Sequence, residues 1–80
     1  MMTIEVQYFA VLREQAGCGT ETLQTNATTA SELYRELQDR HGLAFPADSL
    51  RVAVNDEFAD WSHPLESGDC IVFIPPVAGG

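Results

Sequence analysis

The residues with the clearest chemical potential stand at the end of the chain, Pro75-Pro76-Val77-Ala78-Gly79-Gly80. A terminal carboxylate titrates near ~3.3–3.7 and is an anion at neutral pH. A carboxylate is a poor electrophile, so Gly80 takes no acyl or sulfur chemistry until it is activated. As an anion it can attack the α-phosphate of ATP in a suitable enzyme. Gly79 and Gly80 have no side chains, so this tip could thread a narrow channel with backbone angles closed to other residues. The proline pair holds the base of the arm extended. Six extended residues reach ~20 Å, against a radius of gyration of ~12 Å for a body of this size. Composition alone does not separate such an arm from an ordinary frayed terminus.

The rest of the chain is poor in catalytic groupings. It has no Gly-rich phosphate loop, no assembled Ser/His/Asp set and no metal-ligand cluster. His41 and His63 read as structural or solvated histidines. Cys18 and Cys70 lie far apart with no metal or redox spacing, so both read as free thiols, a sulfur-relay role for Cys70 being the weaker reading. Asp56, Glu57 and Asp60 form an acidic cluster that fits a basic partner surface or a solvated rim equally. Twelve Asp and Glu against four Lys and Arg give a net charge of −8, which repels a nucleic-acid backbone and favours basic partners. All four cations are arginines; with no lysine, the chain offers no ε-amine to capture an activated Gly80. No window is long and apolar enough to cross a membrane and no targeting segment is visible, so a soluble cytoplasmic protein is expected.

Eighty residues make a single domain, 1–80, with 75–80 as its functional tail. Thr3–Phe9 alternates, with Ile4, Val6 and Tyr8 on one face and Glu5, Gln7 and Phe9 on the other, as a half-buried strand does. Ala10–Ala16 is short and mixed, Gly17-Cys18-Gly19 is a turn, and Glu21–Thr25 returns as a second strand. Thr29 and Glu32 match a capping box, Ala30, Leu33, Tyr34 and Leu37 form one stripe, and Gly42 is a stop, giving one helix over residues 30–41. Leu43–Ser49 is a loop. A third strand alternates at Leu50, Val52 and Val54. Asn55-Asp56 turns it into a short fourth strand, Glu57–Ala59. Trp61–Leu65 is irregular, Ser67-Gly68-Asp69 is a turn, and Cys70–Ile74 is an apolar strand expected in the centre of a sheet covered on both sides. Pro75 and Pro76 end it, having no N–H to donate. The order β-β-α-β-β-β suggests an α+β roll, a mixed sheet over one helix with the first and last strands side by side, the β-grasp arrangement of ubiquitin.

That arrangement places a second feature near the tail. Phe9 breaks the polar face of the first strand, and Val72 and Ile74 share its face if the last strand lies alongside. Phe58 can join them in an apolar patch suited to a protein interface, unless these residues pack on one another or under the loop from Trp61.

With these residues in place, the chain resembles the small subunits of molybdopterin synthase, which are ubiquitin-like sulfur carriers. The likeness runs through Tyr8-Phe9-Ala10 with Arg13-Glu14, Val52-Ala53-Val54-Asn55, His63-Pro64-Leu65, Gly68-Asp69 and Phe73-Ile74-Pro75-Pro76-Val77-Ala78-Gly79-Gly80, over essentially the whole chain. The resemblance implies that an ATP- and Mg-dependent adenylyltransferase of the ubiquitin-activating kind adenylates Gly80. A sulfur donor system then makes a thiocarboxylate, and the carrier passes sulfur to cyclic pyranopterin monophosphate, building the dithiolene of molybdopterin. It also implies that Phe9, Phe58 and Ile74 meet the large synthase subunit in a heterotetramer. The Pro75–Gly80 arm would enter that subunit's active site, and the chain itself would bind no cofactor or metal and bring no catalytic machinery. Di-glycine carriers for thiamine thiazole formation or transfer RNA thiolation share the fold, as do ubiquitin-like protein modifiers; the Pro-Pro-Val approach to the tail favours the synthase subunit over the thiamine carriers.

Overall fold

The computed structural model describes residues 1–75; the tail residues Pro76, Val77, Ala78, Gly79 and Gly80 lie outside the described residues. In chain order the elements are β1 (Met2–Tyr8), α1 (Ala10–Ala16), β2 (Thr20–Thr25), α2 (Ala30–His41), a 3-10 turn (Ala47–Ser49), β3 (Arg51–Val54), β4 (Glu57–Ala59) and β5 (Cys70–Ile74). The strands form one mixed sheet in the order β2-β1-β5-β3-β4. β1 and β5 are parallel neighbours at its centre, with Glu5 opposite Cys70 and Tyr8 opposite Phe73. The two flanking hairpins, β1–β2 and β3–β4, are antiparallel, as is the β3–β5 pair. This is the expected β-grasp roll.

The inner face of the sheet packs on α2. Ile4, Val6 and Tyr8 from β1, Val52 and Val54 from β3, and Ile71 and Phe73 from β5 are all buried there. They meet the stripe Ala30, Leu33, Tyr34 and Leu37, the buried residues of α2. Phe73 lies 5.0 Å from the Tyr34 ring and stacks on Trp61 at 5.8 Å, so the loop after β4 closes the core that the helix begins.

The ends of α2 are well provided for. A helix leaves its first N–H groups without intrahelical partners. Here Ala30 and Ser31 donate to the carbonyls of His63 and Trp61 and Glu32 to Thr29 Oγ1, before Leu33 begins the regular ladder on the Thr29 carbonyl. The capping box is offset by one residue: the Glu32 carboxylate accepts from the N–H and hydroxyl of Thr28 rather than from Thr29. Gly42 closes the helix with φ 68° and donates to the Gln38 carbonyl, the left-handed stop that glycine takes without penalty.

Four expectations need correction. Residues 10–16 are a helix, so α2 is not the sole helix of the fold. Ala-Val-Leu-Arg-Glu-Gln-Ala is a good helix-forming run, but seven residues are too few to be helical without tertiary support, and Leu12, wholly buried, provides it. β1 stops at Tyr8, because Phe9 leaves the sheet to become the N-cap of α1. Residues 47–49, expected within a loop, make a 3-10 turn. Finally, β5 is central but is covered on one side only: the outer face has no covering layer among the described residues, and Phe9 and Phe58 on it are 50% and 67% exposed.

No helix among the described residues is long and apolar enough to cross a membrane.

Candidate functional site

The outer face is assembled by register. Alternation turns Glu5 and Gln7 of β1, Cys70, Val72 and Ile74 of β5, and Arg51 and Ala53 of β3 away from the helix. Pairing then sets them in rows: Gln7, Val72, Ala53 and Phe58 run straight across four strands. Ile74 pairs with Arg51, and Phe9 follows Tyr8, the partner of Phe73, so Phe9 reaches the Ile74 end of the face. Gln7, Phe9, Ala53, Asp56, Phe58, Val72 and Ile74 line a shallow hollow of about 240 Å³. Its floor is Val72 and Ala53, both 8% exposed, and its rim is the two exposed phenylalanines. Phe9, Phe58 and Ile74, expected to share a patch, are therefore brought together. Ile74 and Pro75 are half-buried at its edge, where the described chain ends.

Phe9 owes its position to the turn into α1. As N-cap it is extended (φ −122°, ψ 153°), and its carbonyl accepts from Leu12 and Arg13. The buried Leu12 thus anchors α1 beneath, while the Phe9 ring stays on the surface. Phe58 is placed by the Asn55-Asp56 turn. Both residues have positive φ, 52° and 72°, which suits a two-residue hairpin of the primed type and favours Asn and Asp over branched residues.

The same turn is riveted to the start of β5. Asn55 donates its N–H to the Cys70 carbonyl at 2.8 Å, accepts the Cys70 N–H on Oδ1 at 2.9 Å, and donates Nδ2 to Asp69 Oδ1 at 3.0 Å. The other oxygen of the buried Asp69 accepts the Glu66 N–H at 2.8 Å, and its carbonyl accepts the Glu5 N–H. The two side chains tie the β3–β4 turn to the start of β5, and the Asp69 backbone carbonyl adds β1. The sequence pattern had marked Asn55-Asp56 and Gly68-Asp69 only as turns; nothing in their spacing announced that Asn55 and Asp69 bond to each other.

The other candidates fall into place as structural groups. His41 Nε2 lies 2.9 Å from Glu21 Oε1, which also accepts the Tyr8 hydroxyl at 2.8 Å. Glu21 closes the seam between β2 and the end of α2. Burial alone would raise its carboxyl pKa, but hydrogen bonds from His41 and Tyr8 and the charges of His41 and Arg40 hold it below the usual carboxylate range. The Tyr8 hydroxyl is pushed well up by burial and by Glu21. His63 donates its backbone N–H to Asp60 and caps α2 through its carbonyl. Cys18 and Cys70 are free thiols. Burial raises the Cys70 pKa, as do its contact with Glu5 Oε2 at 3.5 Å and the charges of Glu5 and Asp56, so the thiol stays protonated and a weak nucleophile. Among the described residues no group of His, Cys, Asp and Glu could hold a metal ion.

What the described residues provide is an apolar hollow on the open face of the sheet, with the last strand ending at its edge. Known proteins share this fold. Residues 6–80 match the ThiS family. The chain is 35% identical to the molybdopterin synthase sulfur carrier subunit of Escherichia coli (strain K12), with 96% of this chain and 99% of that protein covered. Among solved structures it resembles a chain in the complex of subunits 1 and 2 of the molybdopterin-converting factor from Helicobacter pylori 26695. That match is 31% identical, with a TM-score of 0.69 over 99% of this chain and 100% of that one. The small archaeal modifier protein 1 of Haloferax volcanii superposes with a TM-score of 0.81 at 25% identity, over 96% of this chain and 100% of that one.

Proposed function

We propose, from the premise that this chain belongs to the ThiS family, that it is the sulfur-carrier small subunit of a molybdopterin synthase. The observation that carries the proposal is the join of two features: an apolar hollow rimmed by Phe9, Phe58 and Ile74, and a strand that leaves that rim into Pro75-Pro76-Val77-Ala78-Gly79-Gly80. The hollow docks on the large subunit. The arm then runs from the edge of the dock into that subunit's active site, where the chemistry takes place.

In this reading the body does no catalysis. Its Gly80 carboxylate first attacks the α-phosphate of ATP, held with Mg by a separate adenylyltransferase; the acyl-adenylate forms and pyrophosphate leaves. A sulfur donor system displaces AMP and leaves a thiocarboxylate. In the synthase that sulfur passes to cyclic pyranopterin monophosphate, and two such transfers build the dithiolene. The work is cytoplasmic, and the assembly is a heterotetramer with two carriers on a large-subunit dimer. The absence of lysine suits this use, because no ε-amine of the chain competes for the activated terminus.

The test is reconstitution with the large subunit and the pyranopterin precursor. Full-length thiocarboxylated carrier should yield molybdopterin. Protein lacking Gly79 and Gly80 should melt like the full chain, still bind the large subunit and yield none; undiminished product from it would sink the proposal.

The likeness to the archaeal modifier supports a second reading, conjugation of Gly80 to lysines of other proteins. Intact-mass measurement separates the two. A gain of about 16 Da, sulfur replacing oxygen, marks the carrier, and isopeptide conjugates mark the modifier.

A further inference from the structure

The outer face is not only apolar; it is polarised along its strands. At the end remote from the tail stand Glu5, paired with Cys70, and Asp56 in the β3–β4 turn. At the tail end stands Arg51, paired with Ile74. Cys70 and Ile74 are four positions apart, about 13 Å along a strand. Of the four arginines, Arg13 lies on α1 and Arg35 and Arg40 on α2, so Arg51 is the cation of the sheet. Arg40 is held by Glu21 and Glu36, whereas Arg51 makes no ion pair among the described residues. Its guanidinium carbon sits 5.0 Å above the centre of the Phe58 ring. Stacking of this kind holds the planar group in place while its N–H edge remains open to an acceptor.

Apolar contact has no direction, so a hollow of two phenylalanines, a valine and an isoleucine does not by itself fix which way a partner sits. Charges across an interface do. We propose that Arg51 receives a carboxylate of the synthase large subunit while Glu5 and Asp56 face cations on it, so that the two subunits seat in one direction only, with the tail aimed inward. A reversed seating would set the partner's carboxylate against Glu5 and Asp56, and its cations against Arg51. The inference rests on the sulfur-carrier reading above and specifies the chemistry of that partner: an apolar centre, an acid beside the tail and base at the far end.

The test uses the full chain and its large subunit. Binding is measured by calorimetry for the wild type, Arg51→Ala, Arg51→Glu, Glu5→Lys and Phe9→Arg, with melting temperature as the check on folding. Arg51→Glu is expected to weaken binding about tenfold or more, beyond the loss from Arg51→Ala, and Glu5→Lys to weaken it as well. All three positions are exposed, so the melting temperatures should stay close to the wild type's. If Phe9→Arg abolishes binding and Arg51→Glu leaves it unchanged, the polarised dock is wrong and the sulfur-carrier reading stands. If neither variant affects binding, the docking face itself is wrong. If Arg51→Glu leaves binding intact but speeds adenylation of the tail, Arg51 holds the chain's own Gly80 carboxylate, and the inference is overturned.

Discussion

Val72 and Phe73 are neighbours on one strand and live in different worlds. Phe73 turns inward, is wholly buried and touches the rings of Tyr34 and Trp61. Val72 turns outward onto the floor of a hollow that no helix covers among the described residues. The same backbone hydrogen bonds support both. The sheet therefore has one face that holds the body together and one, uncovered among the described residues, on which the proposed dock lies. The lesson is that the strand supplies the frame to both faces, and the alternate side chains can be tuned for stability or for binding with little cross-talk.

The most severe way to probe this contrast is to truncate on the inner side. Phe73→Ala should cost about 3–5 kcal/mol, because the cavity between Tyr34 and Trp61 cannot collapse fully. For a domain of this size that lowers the melting temperature by roughly 12 °C or more. A smaller drop would mean that the inner face is less tightly packed than its burial suggests. Next comes the rivet between the faces. Asn55→Ala removes the acceptor of the Cys70 N–H and a donor to buried Asp69, and should cost about 1–3 kcal/mol by chemical denaturation; Asn55→Asp should not rescue it, since a second carboxylate would face Asp69. On the outer face, Phe58→Ser should change stability by no more than about 0.5 kcal/mol, yet weaken large-subunit binding severalfold or more. A stability loss as large as that of Phe73→Ala would erase the distinction between the faces. The smallest effect is expected at the seam. Glu21 has its pKa lowered in the folded state from the ordinary 4.5, so its contribution is present above that value and is lost as pH falls through the folded pKa. Melting temperature followed from pH 6 downward should fall more steeply below about pH 4.5 in the wild type than in Glu21→Gln. Parallel curves would show that Glu21 does not couple charge to folding.

Much of this was readable from residue order, and the reasons are physical. The stripe of α2 and the alternation of β1 are periodic signals, and periodicity survives whatever the tertiary contacts are. The side-by-side placement of β1 and β5 and the gathering of Phe9, Phe58 and Ile74 followed from parity once the β-grasp order was assumed. Helix α1 was missed because its stability is not local: one buried leucine decides it. The apolar patch on the outer face was expected, but β5 was also expected to be covered on both sides, because an all-apolar strand looks the same whether its second side meets a helix or solvent. The carbonyls of Trp61 and His63, which satisfy the first N–H groups of α2, left no sequence signal, since any residue's carbonyl would serve. The Asn55–Asp69 bond depends on two turns meeting at one corner, and only the assembled sheet brings them there.

The central parallel pair has a temporal consequence. Of the described elements β1 is synthesised first and its partner β5 last. The hairpin of β1 and β2 with α2 can form early, but one edge of β1 stays open, and the Phe73 side of the core stays empty, until residue 74 is available. Folding therefore waits for a contact of very long sequence separation, which slows it. The strand that leads into Pro75 and Pro76 is thus also the strand that completes the fold.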